Sequence, residues 1–243
     1  DKMIFNNFIE DISIMQKFGL TLLIVHGGGP IINKKLDRLN IKSEFVMGLR
    51  VTNKKIINVV ENEMINFNKE IINALKKKNC RAEPITIREN NIFHVKQENK
   101  NLGYVGTPTR VDNNIIEKII KKGFIPIVAP MGLDDKGQSY NINADIAAGE
   151  LAKSISSRRL LLMTDVEGVY DRNKKLISEV NSKEAEKLIE DQIVRGGMIP
   201  KIKTCISVVK NGVKGVVIID GRRQHSMLFE LFSDQGAGTL IRK

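Results

Sequence analysis

The sequence has little of the chemistry that stabilises small secreted domains or structural metal sites. It holds two cysteines, Cys80 and Cys205, and neither lies in a CxxC motif or a Cys/His cluster. This excludes a disulfide scaffold and a zinc ribbon, predicts no metal site, and favours a reducing, cytoplasmic compartment. No apolar run approaches the ~18 residues that span a bilayer, so no membrane partner is expected.

Aromatic side chains are also scarce, since tryptophan is absent and Phe, Trp and Tyr together make up 5% of the chain. This argues against base-stacking platforms for single-stranded nucleic acid. The formal net charge of +11 would suit nucleic acid or an anionic substrate. Because the basic excess is spread over both halves of the chain, with no basic tail, we expect no nucleic-acid partner.

What the sequence does contain is a regular alternation of short apolar runs with helical patterns. This layout is typical of an α/β protein with a mainly parallel sheet. We predict a three-layer αβα sandwich in two lobes that share one sheet and divide near residue 156. Residues 82–95 are predicted to form a hairpin, residues 182–192 a helix capped near Ser182, and residues 238–241 an edge strand.

The strongest local signal is the segment LLIVHGGGP at residues 22–30. Glycines 27 to 29 lie between a predicted buried strand and a helix that has Pro30 in its first turn. Backbone N–H groups in such a loop can approach an anion closely, and the helix N-terminus favours negative charge. The alternative is a flexible turn. A Walker A loop is excluded because no GK[ST] follows.

Two further segments carry polar side chains that could recognise a substrate. Arg50, in GLRVT (48–52), could bind a carboxylate through two hydrogen bonds, although a solvated arginine is the simpler interpretation from the residues alone. In NINAD (141–145), strand alternation would direct Asn141, Asn143 and Asp145 to one side. That segment predicts either a ligand site or a turn with Asp145 as a helix N-cap.

Near residue 165 and residue 201 the pattern indicates a second anion site. Residues 165–171 leave a predicted buried strand, and ligands collect beyond the carboxyl ends of strands in open α/β sheets. Lys201, in GGMIPK, lies at a helix start, where the dipole disfavours a cation unless an anion is nearby. Glycine-rich anion sites with an aspartate and such a lysine together predict phosphoryl transfer.

These segments, in this order, resemble the amino acid kinase family from about residue 9 to residue 241. The most specific landmarks are SEFVMGLRVT (43–52), NINADIAAGELA (141–152) and GGMIPKI (196–202). The resemblance implies ATP-dependent phosphorylation of the side-chain carboxylate of N-acetyl-L-glutamate, in arginine biosynthesis. Two alternatives stay open: another member of the family, acting on aspartate, glutamate, carbamate or a nucleotide, or a non-catalytic ligand-binding or regulatory module.

The resemblance also implies roles for individual residues. Lys201 and Asp145 would be catalytic, with Lys201 neutralising charge on the transferring phosphoryl group and Asp145 orienting the catalytic lysines. The acetylglutamate ligands would be Gly28, Gly29, Arg50 and Asn141. Mg²⁺ would arrive on the ATP phosphates, with no protein cage. The ATP-lining residues would be Asp165, Val166, Glu167, Gly168, Val169, Tyr170, Ile193, Val194 and Arg195.

At the level of the whole molecule, the resemblance implies that residues 1–156 bind acetylglutamate and dimerise, and that residues 157–243 bind ATP. The assembly would be a homodimer or a hexamer. His225, Glu230 and Gly236 resemble the L-arginine effector segment of the feedback-inhibited branch. The family also carries a Lys-x-Gly-Gly turn that would precede Asp1, and its lysine contacts the phosphoryl group. We therefore expect little or no activity from residues 1–243 by themselves.

Overall fold

The computed structural model describes all residues from Asp1 to Lys243. The helices are α1 (Lys2–Lys17), α2 (Gly29–Arg38), α3 (Lys54–Lys77), α4 (Asn113–Lys121), α5 (Ala144–Ser154), α6 (Ser182–Glu190), α7 (Met198–Lys210) and α8 (Ser226–Phe232), with a short 3₁₀ turn at Lys100–Leu102. The strands are β1 (Ile24–Val25), β2 (Phe45–Val46), β3 (Leu49–Arg50), β4 (Ala82–Ile85), β5 (Phe93–Gln97), β6 (Gly106–Val111), β7 (Ile125–Val128), β8 (Met131–Leu133), β9 (Ser139–Asn141), β10 (Leu160–Thr164), β11 (Glu179–Asn181), β12 (Val216–Asp220) and β13 (Gly238–Arg242).

The chain divides into two compact units. One consists of Gly19–Ala148, and the other combines Asp1–Phe18 with Gly149–Lys243. The predicted division near residue 156 thus differs from the observed one, above all because α1 belongs with the C-terminal segment. Helix α1 is held there by α8: the rings of Phe18 and Phe232 lie 5.5 Å apart, and Asp11 contacts His225.

The unit Gly19–Ala148 contains a three-stranded parallel sheet in the order β1-β7-β4. A second, four-stranded sheet has the order β6-β5-β8-β9, and β2 and β3 form a separate two-stranded ribbon. Helix α3 begins where Asn53 accepts hydrogen bonds from two first-turn amides, and it ends in lysines, which the helix dipole favours. Its apolar face packs with α2 around Leu36, Val60 and Met64.

The hairpin predicted for residues 82–95 is wrong. Strand β4 pairs in parallel with β7, whereas β5 pairs with β6 and β8 in the other sheet. The polar residues between the two strands therefore connect two sheets, and the local hairpin is formed by β5 and β6.

The other unit is built on a four-stranded sheet in the order β10-β12-β13-β11. Strands β10 and β12 are parallel, and β12 and β13 are antiparallel. Strand β13 lies between β12 and β11, so the prediction of an edge strand there is wrong. The N-cap of α6 is Asn181, which forms a capping box with Glu184, so the cap lies one residue before the predicted Ser182.

The predicted α/β class with mainly parallel sheets is confirmed. The prediction of one sheet shared by both lobes is wrong, because the strands of each unit are hydrogen-bonded into sheets of their own. None of the helices combines the length and the apolar composition that crossing a membrane requires.

Candidate active site

The glycine loop connects β1 to α2. Gly28 is the N-cap of α2, and no side chain caps this helix, so its first-turn amides are open to an external acceptor. A Cβ atom added at Gly27 or Gly29 would meet nothing within 4 Å, whereas one at Gly28 would lie 2.8 Å from the Sδ of Met64. The loop thus has open space on one side and the core on the other.

A cavity of about 180 Å³ lies beside this loop, within the unit Gly19–Ala148. Its polar side chains are Arg50, Asn141 and Asn143, and its apolar wall includes Ile32 and Met64. The predicted acetylglutamate ligands line it together: Gly28, Gly29, Arg50 and Asn141.

Arg50 reaches the cavity from the ribbon of β2 and β3. Met47 and Gly48, which connect the two strands, both have positive φ, as in a type I′ turn, and this places Arg50 opposite Phe45. The guanidinium lies 4.6 Å from the centre of the Phe45 ring and donates to the hydroxyl of Ser43 and to the carbonyl oxygen of Gly29.

The environment of Arg50 is unusual for a cation. The residue is only 5% exposed, and burial lowers the pKa of its guanidinium. Its hydrogen-bond partners, Ser43 and Gly29, are both neutral. The interpretation of Arg50 as a solvated residue is therefore wrong. A buried cation with neutral partners is costly, and it is stabilised when an anion completes its coordination.

The NINAD segment contributes through a strand end and a helix start. Asn141 ends β9, and its N–H donates to the carbonyl of Tyr104 at 3.0 Å. The side chain of Asn143 accepts from the amides of Asp145 and Ile146 at 2.9 and 3.2 Å, so Asn143, and not Asp145, caps α5. Strand alternation therefore stops at Asn141, and Asp145 is half-buried in the first turn of the helix.

Sequence reasoning did not single out His26, the residue before the glycine loop. Its ring is buried, and burial lowers the pKa to about 4. Its Nδ1 lies 2.9 Å from the carbonyl oxygen of Gly27, and its Nε2 lies 3.2 Å from the amide nitrogen of Asn68. The sequence feature that could have identified His26 is its position directly before three glycines. Asn68 gave no local signal, because it is 42 residues away in the sequence.

The residues predicted to line ATP lie in the other unit, at the carboxyl ends of parallel strands. Thr164 ends β10 beside Asp220, which ends β12. In the turn that follows β10, Asp165 and Glu167 are exposed, while Gly168 and Val169 are buried. The N–H of Val169 donates to the hydroxyl of Thr239 at 2.8 Å, which fixes the turn to β13.

Charged and polar side chains at this edge already have partners. The guanidinium of Arg222 donates to both carboxylate oxygens of Asp220, at 3.0 and 2.8 Å, which lowers the pKa of Asp220. The hydroxyl of Tyr170 donates to Glu167 at 2.8 Å. Both contacts are exposed to solvent.

The remaining predicted nucleotide and catalytic residues of this unit surround the start of α7. Val194 is buried, while Ile193 is half-buried and Arg195 is exposed, with its Nε donating to the carbonyl of Gln192 at 2.6 Å. Lys201 is the fourth residue of α7, which has no side-chain N-cap and no acidic residue in its first turn. Unlike α2, helix α7 has first-turn amides that are already bonded: the N–H groups of Met198 and Ile199 donate to the carbonyl oxygens of Arg195 and Gly196 at 3.3 and 3.2 Å.

The residues predicted to form an arginine effector site lie at the start of α8, within it and in the segment that follows it. Glu230 is buried, and its carboxylate accepts from Arg159 at 3.3 Å and from the N–H of Ala237 at 2.7 Å. Gly236 has a φ of +67°, and a Cβ there would lie 3.1 Å from Glu230. His225 contacts the buried carboxylate of Asp11, on α1, at 2.5 Å.

The chain is similar in sequence to curated acetylglutamate kinases. The chain is 55% identical over 243 residues to the acetylglutamate kinase of Pelagibacter ubique, covering 100% of this chain and 84% of that one. It is 44% identical over 256 residues to the acetylglutamate kinase of Lawsonia intracellularis, covering 100% and 86%.

A solved structure agrees at the level of the fold alone. It is N-acetylglutamate synthase from Neisseria gonorrhoeae in complex with coenzyme A and N-acetyl-glutamate, with a TM-score of 0.90 and 21% identity over 100% of this chain and 57% of that chain. The model of the amino acid kinase family matches residues 1–220. The chain belongs to the amino acid kinase family.

Proposed function

We propose that the protein is an acetylglutamate kinase, which transfers the γ-phosphoryl group of ATP to the side-chain carboxylate of N-acetyl-L-glutamate in arginine biosynthesis. The observation that carries this proposal is the buried guanidinium of Arg50, with neutral partners, at a cavity bordered by an uncapped glycine loop. A small dicarboxylate supplies the negative charge that this cavity lacks, and the relatives at 55% and 44% identity are acetylglutamate kinases.

In this proposal Arg50 and Asn141 bind the acetylglutamate. The amides of Gly28 and Gly29 donate to the anionic oxygens that carry the growing charge. Donors fixed in advance at the position of developing charge are an effective way to stabilise a phosphoryl-transfer transition state. A carboxylate nucleophile needs no general base, so Asp145 is not assigned as one. Its proposed role is to orient the catalytic lysines, and that of Lys201 is to neutralise the charge on the phosphoryl group.

ATP is assigned to the edge formed by residues 165–170 and 193–195. In the described chain, no group of three or more His, Cys, Asp or Glu side chains is placed to hold a metal ion. Mg²⁺ prefers a few carboxylates together with substrate phosphates, and we propose that it enters bound to the nucleotide. It would supply charge neutralisation between the phosphates.

We also propose a division of roles between regions. Within the N-terminal region predicted as residues 1–156, the unit Gly19–Ala148 carries acetylglutamate binding and dimerisation, and residues 157–243 carry ATP binding. The assembly is a homodimer or a hexamer, which sedimentation equilibrium would distinguish. We propose that L-arginine is a feedback inhibitor that binds near His225, Glu230 and Gly236, the residues that resemble the effector segment. Calorimetric titration with L-arginine tests this, with Glu230→Gln as the variant that should lose binding.

The decisive test of function is a substrate panel measured on the protein expressed from its complete reading frame. ADP release should depend on N-acetyl-L-glutamate and be at background with L-aspartate, L-glutamate, carbamate and UMP. ADP release with another acceptor would indicate a different member of the family. ATP binding without any acceptor-dependent release would indicate the non-catalytic module.

A further inference from the structure

His26 lies between the end of β1 and the glycine loop, with its ring in the core. Residue exposure is 5% for His26 and 0% for Asn68, its partner on α3. The rings of His26 and Phe67 pack in a T-shaped arrangement, with 5.3 Å between ring centroids. The ring is therefore held by α3 on one side and contacts the loop on the other.

The hydrogen bonds of Asn68 determine which ring nitrogen of His26 carries the proton. The side-chain nitrogen of Asn68 lies 2.8 Å from the carbonyl oxygen of Ile127, so it must be the NH₂ group that faces this acceptor. The same NH₂ group lies 3.2 Å from Nε2 of His26. Nε2 is then an acceptor, and Nδ1 carries the proton and donates to the carbonyl oxygen of Gly27 at 2.9 Å.

The peptide bond between Gly27 and Gly28 transmits this contact to the cavity. It is trans, as are all peptide bonds of the chain. In a trans peptide the C=O and the N–H point in opposite directions. With the carbonyl of Gly27 held against the buried ring, the N–H of Gly28 is directed away from the ring, and Gly28 lines the cavity.

We propose that His26 is a positioning residue: Asn68 holds its ring in the Nδ1–H tautomer, and the ring fixes the carbonyl of Gly27 so that the N–H of Gly28 faces the anionic ligand. The inference rests on the proposed function only for the identity of that ligand, N-acetyl-L-glutamate. Three consecutive glycines would by themselves leave the loop flexible. The hydrogen bonds from Asn68 to His26 and from His26 to Gly27, which we call the relay, fix the direction of the Gly28 N–H.

A matched pair of variants separates this role from general packing. The amide of His26→Asn can place an N–H donor near the position of Nδ1, whereas the longer His26→Gln places its amide near Nε2. Both replace an aromatic ring by a buried amide, so both should lower the melting temperature by similar amounts.

By calorimetry, the dissociation constant for N-acetyl-L-glutamate should stay within about threefold for His26→Asn and rise about tenfold for His26→Gln, the value of one hydrogen bond. Equal affinities for the two variants would overturn the proposal.

The unliganded wild-type protein gives a second, independent result. The ¹⁵N shifts of the His26 ring should show a protonated Nδ1 and an unprotonated Nε2 at pH 7. Asn68→Leu removes the donor to Nε2, so it should weaken this preference and shift the Gly28 amide resonance. A protonated Nε2, or an unchanged Gly28 amide, would refute the relay. Because these shifts need no ligand, a wild-type protein that failed to bind N-acetyl-L-glutamate would refute the proposed function alone.

Discussion

The cavity beside the glycine loop and the strand edge at Thr164 and Asp220 differ in whether their charged side chains have charged partners. In the cavity, Arg50 is buried and has only neutral hydrogen-bond partners. At the strand edge, Arg222 already pairs with Asp220, and Tyr170 with Glu167, in contact with solvent. The first region lacks an anion, and the second is satisfied without a ligand.

This difference suggests how each region binds. A buried cation with neutral partners has already lost much of its hydration on folding, so a carboxylate that binds it pays mainly for its own desolvation and gains a strong interaction. Exposed pairs contribute little to stability or binding. We therefore expect single substitutions in the cavity to have large effects on binding, and those at the edge to have small ones.

The largest effect is expected for Arg50→Ala. Removing the guanidinium leaves the substrate carboxylate without its buried partner, which should raise the dissociation constant for N-acetyl-L-glutamate by about 100- to 1,000-fold. Calorimetric titration measures this. Arg88→Ala is the control, because Arg88 pairs with Glu61 at an exposed site and should bind like the wild type. Comparable losses in the two variants would contradict the distinct role of the cavity.

The second prediction concerns His26 and pH. Its pKa falls from 6.5 to about 4 because the ring is buried, so the unfolded chain binds a proton that the folded chain excludes between these values. The stability that the neutral ring of His26 contributes is fully present above pH 6.5. It is lost as the pH falls towards 4, which lowers the free energy of unfolding by about 3 kcal/mol. Urea unfolding at pH 7 and pH 4.5 measures the loss, which should be smaller in His26→Asn. An equal pH dependence in both proteins would assign the loss to other groups.

A smaller effect is expected where the nucleotide edge is attached to the core. Thr239→Val keeps the shape of a fully buried side chain but removes the acceptor for the N–H of Val169 and the donor to the carbonyl of Ile177. The free energy of unfolding should fall by about 1–2 kcal/mol. Tyr170→Phe, which removes only an exposed contact of the same turn, should leave the melting temperature within about 2 °C. A larger loss for Tyr170→Phe would mean that the edge is held by its surface contacts.

The smallest effect on the free energy of unfolding is expected for Gly28→Ala. The new methyl group would lie 2.8 Å from the Sδ of Met64 and 3.2 Å from Ile32, and the flexible methionine can move part of the way. We expect a loss of about 1 kcal/mol in unfolding free energy, and less in a Met64→Ala background. Gly27→Ala, which meets no atom within 4 Å, should cost less than Gly28→Ala. Equal costs would show that the core side of the loop is not tightly packed.

Local sequence signals located most helices and the glycine loop, because caps, prolines and apolar periodicity act within a few residues. They failed where a partner is distant in the chain. Strand β4 pairs with β7 and not with β5, and β13 lies inside its sheet, for reasons that only the assembled fold supplies. The sequence around Arg50 suggested a solvated side chain, because the residues next to it give no sign that it is buried. Its burial depends on the turn at Met47 and Gly48, which places it opposite Phe45.

The most direct test of the cavity is a crystal structure of the complex with N-acetyl-L-glutamate. We expect a carboxylate of the ligand within about 3 Å of the guanidinium of Arg50, with an anionic oxygen at the same distance from the amides of Gly28 and Gly29. A ligand bound elsewhere, with Arg50 still bonded only to Ser43 and Gly29, would contradict it.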